Sequence, residues 1–254
     1  MNNLPEKTIL FKLLLSNPVL FAKKIFQRLI FIYKRFILKD VFEVNISKWF
    51  KDKGDETLRL DYPELNDTSV VFDLGGYRGD FAQAINDKYG CKVYLFEPHP
   101  KYYKICVDRF AQNEKVIPLN YALSYTDGVS ILYGNDDRSS FLNQNHSRED
   151  AVECQVKEIL STMKELNVSS IDLMKINIEG GEYPLLNHMM LKNKLFLVSQ
   201  YQIQFHKFIE NAELKRDRIT AALSKTHYKT WCYTFVWENW KKKLKKNESK
   251  IINY

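Results

Sequence analysis

The chain has 254 residues, of which 45% are hydrophobic and 14% aromatic, enough for one sizeable core with or without a small appendage. Its four cysteines (Cys91, Cys106, Cys154 and Cys232) form no CxxC pair and follow no secretory signal, so disulfides and a zinc site are both excluded and reduced thiols in a cytoplasmic protein are expected. The net charge of +7 sits at the ends: residues 1–40 carry +6 and residues 238–254 carry +4, leaving the middle at −3, so no basic footprint for nucleic acid covers the presumed core.

In chain order, the first forty residues alternate apolar and basic stretches. The longest uncharged run, Leu13 to Ala22, is ten residues long and is broken by Pro18. A spanning helix needs about 20 apolar residues, and no small-residue cleavage site follows, so neither a membrane span nor a signal peptide is read here. Two readings stay open. One is a helical arm packed on the core or on a second subunit, as in a homodimer. The other is an interfacial helix on an anionic membrane, with Lys23, Lys24, Arg28, Lys34 and Arg35 reaching lipid phosphates. At the other end, Lys241 to Lys246 follow Trp237 and Trp240, a grouping that suits a membrane interface or a solvated tail. The expected organisation is a helical extension over 1–50, a main domain over 51–240 and a basic tail over 241–254.

From Ser69 onward, strand-like and helix-like patterns alternate. Strands are expected at Val70 to Leu74, Lys92 to Phe96, Lys115 to Leu119, Ile171 to Ile176 and Phe196 to Phe205, with a final one at Lys229 to Trp237. Helices are expected at Asp80 to Tyr89, Pro100 to Ala111, Ile159 to Leu166, Glu182 to Leu191 and Ala212 to Ser224. Between the third and fourth of these strands the alternation lapses into a β excursion, Val129 to Tyr133 and Ala151 to Lys157, around a loop from Gly134 to Asp150. The polar stretch Asp136 to Phe141 in that loop reads either as a cover for a bound ligand or as plain surface. Repeated β-α units imply a mainly parallel sheet covered by helices.

Three motifs sit where such a sheet binds ligands, at the carboxyl ends of its strands. The first is V-F-D-L-G-G-Y-R-G-D-F, Val71 to Phe81. Its spacing departs from the dinucleotide pattern G-x-G-x-x-G. Asp73 and Asp80 would repel a phosphate, so a cationic ligand fits better, and S-adenosylmethionine is one. The second is L-F-E-P, which puts Glu97 at the end of the second strand, where a carboxylate can accept both ribose hydroxyls. Asn120 and Ala122, after the third strand, could border an adenine. The third, D-L-M-K-I-N-I-E-G-G-E, Asp172 to Glu182, ends a buried strand in a polar cluster. Lys175 there needs a partner, and two readings stay open: a structural ion pair with Glu179 or Glu182, or a role in the site's chemistry.

Together with N-Y-A-L and the continuation E-Y-P-L-L, these motifs resemble the FkbM-type S-adenosylmethionine-dependent methyltransferases, over roughly Ser69 to His206. The resemblance implies a class I methyltransferase (Rossmann-like) fold: an α/β, mainly parallel seven-stranded sheet with helices on both faces. It implies O-methylation, commonly of sugar or polyketide hydroxyls. Asp73, Gly75, Gly76, Tyr77 and Gly79 would line the methionine half of the cofactor. Glu97, followed by Pro98, would hold the ribose, and Asn120 with Ala122 would lie near adenine. The K-I-D-I-E-G pattern of the family would map to Lys175 through Gly180, with Asn177 standing where the aspartate is usual. Asparagine cannot act as a base and is a weaker metal ligand.

Methyl transfer to an alcohol needs the hydroxyl proton removed, and Glu179 is the first candidate base. His206, at the end of S-Q-Y-Q-I-Q-F-H, is the second; Lys175 and Asn177 complete the catalytic candidates. Gln200, Gln202 and Gln204 alternate along that strand, either as a polar ladder under the acceptor or on a solvated face. His99 and His146 have no evident partner, His188 reads as structural, and no metal site is expected. The leading function is methylation of a glycan or lipid-linked sugar at the inner face of the cytoplasmic membrane. The alternatives are a non-catalytic scaffold of the same fold and, less consistent with the acidic middle and the missing N-P-P-Y motif, a nucleic-acid methyltransferase.

Overall fold

The computed structural model describes residues 17–133 and 151–244. The first sixteen residues, the Gly134 to Asp150 loop with its Asp136 to Phe141 stretch and His146, and the tail from residue 245 with Lys245 and Lys246 lie outside the described residues.

The strands form where apolar and β-branched residues run together. β1 (Val70–Leu74), β2 (Lys92–Phe96), β3 (Val116–Leu119), β7 (Ile171–Ile176) and β8 (Val198–Ile203) are parallel to one another, and β9 (His227–Tyr233) with β10 (Trp237–Lys242) completes a seven-stranded sheet. The order is β3-β2-β1-β7-β8-β10-β9, with β10 antiparallel to both its neighbours. The small sheet holds β4 (Ala122–Ser124), β5 (Gly128–Tyr133) and β6 (Ala151–Glu158), in the order β4-β6-β5. It is the expected β excursion, with β4 added.

Helices α4 (Asp80–Tyr89) and α5 (Pro100–Arg109) cover one face of the main sheet, while α6 (Ile159–Glu165), α7 (Glu182–Leu191) and α8 (Ala212–Thr226) cover the other. Alternation along the strands feeds both cores: Val71, Leu95 and Leu173 face α4 and α5, while Phe72, Met174 and Ile176 face α7 and α8.

At the amino-terminal side lie α1 (Pro18–Ile32), a π-helical turn (Tyr33–Ile37), α2 (Val41–Lys51) and the short α3 (Gly54–Thr57). Asp40 caps α2, accepting from the backbone N–H groups of Phe42 (3.0 Å) and Glu43 (3.2 Å). Trp49 of α2 is buried against Val236 and Trp237, its ring 5.1 Å from that of Tyr233. Helix α2 is therefore packed on the body of the protein through Trp49. No residue of α1 is buried.

The carboxyl-terminal reading needs correction. The expected single strand Lys229 to Trp237 is a hairpin, turning at Thr234 to Val236, with Phe235 at φ +63°. The last strand extends to Lys242, so Lys241 and Lys242 belong to the sheet and not to a tail, and Lys241 pairs with Glu64. Trp237 and Trp240 are core residues, 6% and 1% exposed, and cannot reach a membrane surface. Sequence pattern alone could not separate these tryptophans from an interfacial pair, because burial here comes from Trp49 of α2 packing with Trp237 and from the main core around Trp240.

Beneath this hairpin Arg216 makes a two-pronged contact with Glu238, Nε to Oε1 at 2.7 Å and Nη2 to Oε2 at 3.2 Å, both side chains buried. Removing one partner strands a buried charge, whereas replacing both with apolar groups does not. Glu238→Ala is expected to lose about 3 kcal/mol of stability, and the pair Arg216→Met with Glu238→Leu to regain most of it, as read by urea denaturation.

Candidate active site

Chain order reverses between β1 and β7: the chain leaves β1 for β2 and β3, then returns to pair β7 on the opposite side of β1. Ligands bind in the crevice at such a switch point. A cavity of about 820 Å³ opens there, its wall including Leu74, Gly75, Tyr77, Glu97, Pro98, Ala122, Asn177, Glu179, Gln204 and His206. That volume lies within the range of small-molecule sites.

Under the cavity Asp73 and Lys175 are register partners on adjacent parallel strands, so their side chains emerge side by side. Lys175 Nζ lies 2.8 Å from Asp73 Oδ1 and donates to the carbonyl of Gly75 at 2.8 Å. Both side chains are buried. Burial pulls the Lys175 ammonium below its ordinary range, with the Asp73 charge opposing. The partner of Lys175 is thus Asp73 and neither Glu179 nor Glu182, because register brings together residues that lie far apart in sequence. Neither Asp73 nor Lys175 lines the cavity.

The glycines of the first motif answer mainly to the protein itself. Gly75 has φ +78°, and a Cβ there would meet the Asn177 carbonyl at 1.9 Å; its N–H donates to Phe96 O at 3.0 Å. A Cβ on Gly76 would strike Leu95 at 2.3 Å and one on Gly79 would strike Phe110 at 2.6 Å, so these two face packing and only Gly75 reaches the cavity wall. Asp80 is 81% exposed and pairs with Arg109. Neither Asp73 nor Asp80 lines the cavity: among the described residues the carboxylates on the wall are Glu97, Glu179, Asp40 and Glu43, accompanied by Lys34 and Lys207.

Glu97 closes β2. Its Oε2 accepts from Tyr77 N at 2.7 Å and its Oε1 from His99 N at 2.9 Å. Burial pushes its carboxyl up to about 7, against the two N–H donors that favour the charge. His99, which had no evident partner in the sequence, caps α5 by accepting from Lys101 N at 3.2 Å. Asn120 does not line the cavity: its amide donates to the carbonyls of Glu97 and Pro98, both at 3.0 Å, and fixes the turn after β2. Ala122 and Leu123, from β4, do line it.

On the β7 side, Asn177 continues the strand by donating its N–H to Leu74 O at 3.1 Å, and its buried side-chain Oδ1 has no hydrogen-bond partner. Glu179 adopts φ +48°, a conformation a non-glycine residue rarely takes. The backbone is pinned there by Glu182, whose Oε2 accepts from Gly180 N at 2.8 Å. His206 lies between the two carboxylates, Nε2 at 3.1 Å from Glu179 and Nδ1 at 3.1 Å from Glu182. Burial by itself would lower its pKa, but the hydrogen bonds to Glu179 and Glu182 outweigh it and raise the value to about 9. The two carboxylates thus favour the charged form of His206 and make it their counter-ion.

Gln200 and Gln202 are buried and bound to the 59–64 segment, through Glu64 and through the Arg59 carbonyl with Tyr62; only Gln204 reaches the cavity. His188 is held by Glu158 at 2.7 Å. Among the described residues no cluster of three or more His, Cys, Asp or Glu could hold a metal. Several wall residues carried no sequence signal: Asp40, Phe42 and Glu43 before the main sheet, and Phe235 at the hairpin turn; Lys34 was read from sequence only as a membrane contact. Glu182 was singled out in the sequence, but as a partner for Lys175 and not for His206.

A second cavity, about 450 Å³, lies between the small sheet and the start of α7. It shares Ala122, Leu123, Ile178 and Glu179 with the first, and Glu179 is the one carboxylate among the described residues on both walls.

The strand order with its reversed β10, and a site at the β1–β7 switch point, define a class I methyltransferase. The chain belongs to the FkbM methyltransferase family: the Methyltransferase FkbM domain matches residues 73–238. That family uses S-adenosylmethionine. No curated protein matches the sequence. Among solved structures, TrmK of M. capricolum, in complex with S-adenosylhomocysteine, is 14% identical, covering 73% of this chain and 70% of its own at a TM-score of 0.40. Fibrillarin of Aeropyrum pernix, with natively bound S-adenosylmethionine, is 10% identical over 71% of this chain and 68% of its own, TM-score 0.41. The N-methyltransferase NodS of Bradyrhizobium japonicum is 8% identical over 78% and 98%, TM-score 0.39.

The raised pKa of His206 gives a pH signature. Its contribution to stability is complete below the unfolded value near 6.5 and is lost as pH rises through about 9. Stability measured by urea denaturation is expected to fall from pH 6.5 to 9.5 in the native protein, and to fall less in His206→Gln.

Proposed function

We propose that the protein is an S-adenosylmethionine-dependent O-methyltransferase that acts on a hydroxyl of a sugar or glycan on the cytoplasmic side of the membrane. The observation that carries this reading is the position of Glu179 on both cavity walls. A base at the junction of a donor site and an acceptor site is what an in-line displacement requires.

The residues of the large cavity fit the donor. The unpartnered, buried Oδ1 of Asn177 calls for a hydrogen-bond donor, and the ammonium of the methionine half is one. Glu97 has lone pairs left after its two backbone contacts and stands at the strand end where ribose hydroxyls are held. Ala122 and Leu123 offer an apolar border for adenine. Once bound, the donor supplies an electrophilic methyl carbon. The remaining work falls to the chain. Glu179 takes the hydroxyl proton of the acceptor onto a carboxylate oxygen as the acceptor oxygen becomes an ether. His206, clamped from behind by Glu182, holds Glu179 in its left-handed turn and balances its charge. The second cavity presents Ser124, Thr126 and Ser130, hydroxyls suited to a polyhydroxylated acceptor.

Glu179→Gln is expected to slow methyl transfer roughly 10²- to 10⁴-fold while leaving the affinity for S-adenosylhomocysteine within about threefold, by calorimetry and by label transfer from the methyl-labelled donor into a cell-envelope extract. Label recovered only in protein or nucleic acid would overturn the glycan assignment. Because burial raises Glu97 to about 7 and ribose hydroxyls favour its charged form, S-adenosylhomocysteine should bind more tightly as pH rises from 6 to 8, releasing a proton near pH 6.5. Calorimetry in buffers of different ionisation enthalpy reads that proton, and Glu97→Gln should flatten the profile.

A further inference from the structure

We propose that α1 and the π-helical turn after it form a docking surface for an anionic lipid bilayer, and that the acceptor is anchored in that bilayer. The second half rests on the methyltransferase reading above.

At 100° per residue, Ala22, Ile25, Phe26, Leu29, Ile32 and Tyr33 fall on one face of α1 and its extension. That face is open: Phe26 is 64% and Leu29 58% exposed, and the helix buries no residue. Lys23, Lys24 and Arg28 project from the other side of the same helix, with Lys34 and Arg35 following in the turn. Residues 17–39 hold six Lys or Arg and no Asp or Glu. A solvated helix would not carry so continuous an apolar face, and a protein partner would not require every charge to be positive. An apolar arc flanked by cations matches a bilayer surface, where the apolar side enters the acyl boundary and the cations meet lipid phosphates. No helix among the described residues is long and apolar enough to cross a membrane, so this contact lies along the surface.

The same segment forms the rim of the large cavity. Lys34 lines its wall, and Asp40 ties the end of the segment to Lys207, in the loop after His206, at 2.7 Å. A bilayer that held α1 would meet the cavity mouth, which suits an acceptor whose hydroxyl is presented by a lipid anchor.

Flotation of the full chain with vesicles separates the possibilities. Vesicles of phosphatidylcholine with phosphatidylglycerol should bind at least about tenfold more tightly than phosphatidylcholine alone, and the difference should shrink in high salt. Phe26→Glu with Leu29→Glu, at exposed positions, should abolish flotation while S-adenosylhomocysteine binding is retained. Equal or absent binding to the two vesicle types would overturn the docking surface. So would a concentration-dependent dimer in sedimentation velocity that dissolves in the same double variant, since a second copy would then cover the face. For the acceptor, methyl label from an envelope extract should partition into the lipid-extractable saccharide. Label in a water-soluble saccharide would remove the anchored acceptor and leave both the docking surface and the methyltransferase reading standing; no label at all, with vesicle binding intact, would count against the methyltransferase reading and the anchored acceptor together.

Discussion

The geometry of the site depends on a charge pair that never touches its cavity. Asp73 and Lys175 end up beside each other because β1 and β7 are neighbours in register at the centre of the sheet. Either charge alone, buried this deeply, would cost several kcal/mol, so the two strands are held to one register and one side-chain arrangement. Lys175 then reaches on to the Gly75 carbonyl, fixing the first turn of the loop. From that turn Tyr77 N is aimed at Glu97, and Glu97 in turn holds the N–H of His99 at the start of α5. One ion pair thereby sets the position of the loop, the carboxylate and the helix that together form the donor side of the cavity.

A second polar chain serves the acceptor side. Glu182 is wholly buried and uses both oxygens, one on Gly180 N and the other on the His206 backbone and ring. It compels the left-handed turn at Glu179 and delivers a cation to the same carboxylate. Low dielectric raises the stakes of such a network, since every member left unpaired would be costly. The two polar chains flank Asn177, whose carbonyl presses on Gly75 and whose side-chain oxygen still lacks a donor. That orphan marks the boundary between what the fold satisfies internally and what it leaves for a ligand.

The amino-terminal segment divides in two along a physical line. Helix α2 buries Trp49 against the final hairpin and belongs to the body of the protein. Helix α1 buries nothing and presents its apolar face outward. Asp40 stands at the junction, capping α2 through its Oδ1 and binding Lys207 through its Oδ2, so the exposed helix is tethered to the loop that carries His206. A surface contact and a reaction site therefore share one rim.

The sequence determined whatever depends on local pattern and composition. Apolar runs marked the five parallel strands, helical spacing marked the helices between them, and D-L-G-G-Y-R-G-D with L-F-E-P and K-I-N-I-E-G-G-E located Glu97, Asn177 and Glu179 at strand ends. Tertiary structure decided which groups meet. Lys175 found Asp73 through inter-strand register, the glycines proved to make room for Asn177, Leu95 and Phe110, Asn120 was drawn into backbone contacts, and His206 was set between two carboxylates that favour its charged form. Pro18 to Leu38 reads the same in either an arm or a surface helix, and Trp237 with Trp240 reads the same buried or exposed. The reason is common to all of these. Periodicity fixes the side of an element on which a residue lies, but burial, pairing and pKa are properties of what the chain brings back against that side from far away in sequence.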